Sequence, residues 1–146
     1  SMDVVPTILE AAGIESNRGT QAMTVLLVGA GGLVGAMTRY LLGAWVQDVI
    51  SNHSFPYGTL TVNVVGCLLI GLIAGLVETR DALTVQTRAF LIVGVLGGFT
   101  TYSAFGFETV TLLRDGDLVA GIANVSLQIV LGLTAVWLGL RVSQLV

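Results

Sequence analysis

Four apolar stretches, each long enough to cross a bilayer, decide most of what this chain can fold into. They cover residues 24–46, 59–77, 87–113 and 118–140. A helix rises 1.5 Å per residue, so roughly 20 residues cross about 30 Å of hydrocarbon. Backbone polar groups in lipid must be satisfied within the span or by a closed barrel, and the alternating pattern of a barrel is absent. The expectation is an all-α integral membrane protein of four transmembrane helices. Composition agrees: 10% of the residues are charged and 54% hydrophobic, against about 25% charged in a typical soluble domain.

What lies between the spans is short. QDVISNHSFPYG carries Pro56, ETRDALTVQ carries three charges, and RDGD is a compact polar turn. Residues 1–22 form a polar leader, and residues 23–146 form the membrane domain. The leader holds Asp3, Glu10 and Glu15 against Arg18, which is unlike a secretory signal, so it is expected in the cytoplasm. Four crossings put both termini on one side. Beyond the leader, Arg80, Arg88 and Arg141 fall on that side and Arg114 on the other, a lean towards cytoplasmic termini that leaves dual insertion open. The net charge of −3 carries no basic patch, so no nucleic-acid partner is expected. A single cysteine, Cys67, excludes a disulfide or thiolate cluster within one chain.

Residues 25–35, VLLVGAGGLVG, imitate a dinucleotide-binding fingerprint with Asp48 about 20 residues on. A nucleotide fold would need a strand, a helix and a second strand, whereas this apolar pattern runs unbroken to Val46. Glycines four apart, Gly31 with Gly35, Gly71 with Gly75 and Gly94 with Gly98, instead suit close helix packing, which lipid does not drive by hydrophobicity.

Polar groups inside the spans carry the chemistry. Arg39 stands seven residues before Val46, about 10 Å inside the helix end. It either snorkels to the interface or faces an aqueous vestibule or polar partner. Thr59, Asn63 and Gly66 share one face of the second span, and an Asn amide offers two N–H donors, for an interhelical bond or for a dehydrated anion. In the third span, GGFTTYSAFGFE places two glycines and two threonines near mid-membrane. The helix is expected to break near residues 97–101. Irregular backbone at that depth is tolerated where it is buried in protein or lines a wet site, and freed carbonyls suit a hard cation. Tyr102 and Phe105 follow on one face, with aromatic edges suited to a small anion, and Glu108 is the one acid well inside a span. Asn124 and Gln128 continue the donor theme in the fourth span, and they too would serve as interhelical glue.

Taken together, GGLVGAMTRY, FPYGTLTVNVVG, GGFTTYSAF with its later Glu108, and LGLTAVWLGLR, in that order, resemble the Fluc (CrcB) family of fluoride channels over residues 25–140. The resemblance implies an antiparallel, dual-topology dimer, of two identical chains or of paired homologous chains, in a bacterial inner membrane. It implies two fluoride pores and a central structural sodium ion held by the Gly97 and Thr100 carbonyls. Its pore residues fall here on Asn63, Thr59, Tyr102, Ser103, Phe105, Glu108, Arg39, Asn124 and Gln128. Fluoride would leave the cytoplasm passively, down its electrochemical gradient. The chain departs from the family's usual pattern at Tyr102, Ala104, Asn124 and Gln128.

Independently of the family, fluoride is small and strongly hydrated, so stripping its water requires several placed donors, and neutral donors let the ion leave again. Two other readings remain. A small dual-topology proton-coupled exporter would use Glu108 as its carrier and depend on a pH gradient. A non-transporting assembly subunit would show no ion flux alone. An enzyme is not expected, because the one histidine, His53, lies in a loop without a nucleophile, base and orienting group around it.

Overall fold

The computed structural model describes residues 18–51, 54–80 and 83–145; the leader up to residue 17 and His53 lie outside the described residues. The described chain is helical: α1 Arg18–Ile50, α2 Tyr57–Arg80, α3 Val85–Arg88 running into a π-helical stretch Ala89–Leu96, α4 Gly97–Phe99, α5 Tyr102–Arg114 and α6 Leu118–Ser143. Four segments are long and apolar enough to span a membrane: Gly19–Ile50, Tyr57–Glu78, Val85–Arg114 and Leu118–Ser143. The chain is a multi-pass membrane protein. Each helix runs past its apolar run by a few residues, because a helix continues into the interface until a turn stops it.

Local chemistry explains the ends. Thr84 caps α3 by accepting from Thr87 N at 3.2 Å. At the end of α5, Gly116 takes φ +87°, a conformation that costs glycine nothing. The Asp117 N–H then closes on Leu112 O at 3.0 Å and the Gly116 N–H on Leu113 O at 3.3 Å, the paired bonds of a Schellman cap. Asp117 at once caps α6, accepting from Ala120 N at 3.0 Å. RDGD thus folds α6 back beside α5 in four residues. At the other connection, Gln47 accepts from Gly58 N at 3.1 Å and donates to Phe55 O at 3.0 Å, fastening the Pro56 loop to the end of α1.

Two tight crossings build the bundle: α1 against the π-helical stretch and α4, and α2 against α6. Glycines make the first possible. A Cβ on Gly31 would sit 2.6 Å from Phe90 O, and one on Gly94 2.9 Å from Val28 O. The second crossing meets at Gly71 and Gly75 on α2 and at Gly139 and Ser143 on α6. Large apolar side chains such as Leu33, Val93, Phe107 and Leu133 are exposed on the outside, as a lipid-facing surface requires.

Candidate functional site

The third span is interrupted by two extended residues, Thr100 (φ −78°, ψ 157°) and Thr101 (φ −149°, ψ 111°). Helix bonding accordingly stops. Thr101 N–H, which in a continuous helix would close on the Gly97 carbonyl, goes instead to Asn63 Oδ1 at 2.8 Å. Ala104 N–H, the expected donor to the Thr100 carbonyl, goes to Thr101 Oγ1 at 3.2 Å, which caps α5. Asn63 Nδ2 donates to Thr101 O at 3.1 Å and to Gln128 Oε1 at 3.1 Å. The amide of Asn63 on α2 therefore satisfies both backbone groups of Thr101 and reaches α6. The Thr100 hydroxyl turns back to Leu96 O at 3.0 Å, and Arg39 Nη1 on α1 approaches Thr100 O at 3.4 Å.

Two cavities flank this break, and a third lies further along α5. The first, about 400 Å³, is walled by Asn63, Gln128, Tyr102 and Phe105 together with Gly97 and Thr100. Tyr102 and Phe105 stand edge to face there, ring centroids 5.5 Å apart at 62°, so the positive edge of one ring meets the negative face of the other. Tyr102 is 83% exposed. The second, about 560 Å³, holds Arg39, Thr59 and Ser103. The third, about 590 Å³, lies at the end of the bundle between the Pro56 loop and the RDGD turn, and contains Glu108 with Gln47, Asp115 and Asp117. Thr101 is common to the first two walls. The Thr59 hydroxyl, which donates to Glu108 Oε1 at 2.6 Å, ties the second to the third.

The residues singled out from sequence thus fall into connected groups, with one exception. Asn124 is fully buried and absent from the linings of these three cavities. Its Nδ2 donates to Thr109 Oγ1 at 2.9 Å, and the Thr109 hydroxyl donates to Phe105 O at 2.8 Å. The sequence reading placed Thr101 in the break without its capping role, and it did not single out Thr109. For Thr101 the signal was present, a threonine three residues before Ala104 at the start of a helix, which is a capping position. For Thr109 nothing in the sequence separates it from a lipid-facing threonine.

The family model of CrcB-like protein, Camphor Resistance (CrcB), matches residues 26–140. The chain belongs to the CrcB-like family. Among curated relatives, the Fluoride-specific ion channel FluC 3 of Methanosarcina barkeri is 44% identical over 120 residues, 82% of this chain and 89% of that one. The Fluoride-specific ion channel FluC of Rhizobium meliloti is 43% identical over 116 residues, covering 80% and 92% of the two chains. That of Geotalea daltonii is 40% identical over 121 residues, covering 83% and 97%. In this CrcB-like chain the matched segment contains the break, the Asn63 amide and every wall residue of the first cavity.

Proposed function

We propose that this protein is a fluoride-selective channel, with the ion passing from the Glu108 cavity past Thr59, Ser103 and Arg39 to the cavity of Asn63, Tyr102, Phe105 and Gln128. The observation that carries the reading is the helix break itself. Its backbone is held by a side-chain amide beside an aromatic pair, in a chain whose relatives are named fluoride-specific ion channels. Amide and hydroxyl donors and ring edges replace the water of a small anion, and among the described residues no Arg side chain lines the first cavity to hold the ion by a guanidinium contact.

Export follows the fluoride gradient and membrane potential, with no coupled ion. The working unit is a dimer of antiparallel chains, identical or paired homologues, with two pores. Support for a central sodium ion comes from the Gly97 and Thr100 carbonyls, both relieved of their helical N–H donors. These are hard oxygen ligands of the type such a cation takes, and two chains would bring four. The ion would supply a fixed positive charge that ties the two breaks together. Arg39, close to the Thr100 carbonyl, would mark the edge of that site.

Purified protein in liposomes loaded with potassium fluoride is expected to release fluoride to an ion-selective electrode once valinomycin allows potassium to follow. Vesicles loaded with chloride should retain it. Retention of both ions would overturn the proposal, and fluoride release that requires a pH gradient would favour a proton-coupled exporter.

A further inference from the structure

The hydrogen bonds at the break have a fixed polarity, and following it leads to one particular atom. A backbone N–H can only donate, so the Asn63 atom facing Thr101 N is the oxygen. The other end of the amide is then the NH2, which donates one hydrogen to Thr101 O and the second to Gln128. Gln128 must meet that donor with its oxygen. Its own NH2 is thereby turned away, and Nε2 is buried without a hydrogen-bond partner. Two buried N–H donors with no acceptor are rare in native proteins and call for a ligand, because leaving them unmade costs the full desolvation of the group. Gln128 lines the cavity that holds the Tyr102 and Phe105 rings.

We infer that the Thr101 peptide, Asn63 and Gln128 form a relay in which the helix break orients Asn63, Asn63 orients Gln128, and the Gln128 Nε2 amide donates to the anion. Asn63 is then a positioning residue, with both of its N–H bonds committed to the protein. The inference rests on the proposed fluoride channel and assigns the donor atom within that site. It also accounts for an amide at position 128: a side chain that is acceptor at one end and donor at the other takes Asn63 on one side and an anion on the other.

The test uses full-length protein labelled with [15N]glutamine in detergent micelles, titrated with sodium fluoride and, separately, with sodium chloride. The Gln128 side-chain NH2 resonance, identified by its loss in Gln128→Met, should shift saturably with fluoride and stay in place with chloride. In liposomes, Gln128→Met is expected to lower fluoride efflux tenfold or more. Asn63→Asp keeps the oxygen that accepts from Thr101 but removes both N–H donors, so the Gln128 resonance should lose its response to fluoride. The double variant should lose no more efflux than the worse single one, which two independent ion contacts would not give. If wild-type vesicles release fluoride while the Gln128 resonance ignores it and Gln128→Met conducts normally, the relay is wrong and the channel reading stands. If wild-type vesicles release none, the channel reading fails first.

Discussion

Asn124 turns a side-chain carbonyl into the packing between α5 and α6 with no donor opposite it. The direction of its one bond is forced: the Thr109 hydroxyl gives its hydrogen to Phe105 O, so it can only accept from Asn124 Nδ2. The two partners are therefore not equivalent. Removing Thr109's oxygen by Thr109→Val strands a buried NH2 and should lower stability by about 1–3 kcal/mol. Asn124→Leu removes the unmatched carbonyl as well as the amide, while Thr109 keeps its bond to Phe105, so the unfolding midpoint should be unchanged or higher. Thermal unfolding in micelles checks both. If Asn124→Leu also leaves fluoride efflux intact, the fourth span contributes to conduction through Gln128 and not through Asn124.

Among the elements, the crossing of α1 with the π-helical stretch is the least forgiving. A methyl group at Gly31 would meet the backbone atoms Phe90 O at 2.6 Å and Val95 N at 2.9 Å, whereas one at Gly29 meets nothing within 4 Å. Gly31→Ala should therefore push the helices apart at a cost of about 1–3 kcal/mol, and Gly29→Ala should be neutral or stabilising by up to about 1 kcal/mol. Melting curves of the two variants decide the matter. These elements were largely legible in the sequence. Long apolar runs announced the four spans, glycines four apart announced where they cross, and GGFTT announced weakened helix, because each signal is local. The π-helical stretch, which packs against α1, was not legible: AFLIVGVL has the composition of any buried helix. The site divides in the same way. Asn63, Thr59, Gln128 and Glu108 could be picked out as polar residues in lipid, but that Asn63 would grip the Thr101 peptide depends on two helices meeting, which no single segment encodes.

At the scale of the whole molecule, the four spans are unequal. The longest, Gly19–Ile50, has 32 residues and the shortest, Tyr57–Glu78, has 22, about 48 Å and about 33 Å of helix respectively. The long one can tilt, or let its polar start stand clear of the lipid. The short one cannot stretch. It is also the one that carries Thr59 and Asn63 and is locked along its length to α6, so the bilayer must thin around it wherever the lipid tails are too long. Fluoride efflux from vesicles made with progressively longer acyl chains should hold steady up to a hydrocarbon layer of about 33 Å and decline beyond it. Membrane thickness would then select where this protein can work, and α2 would be the ruler.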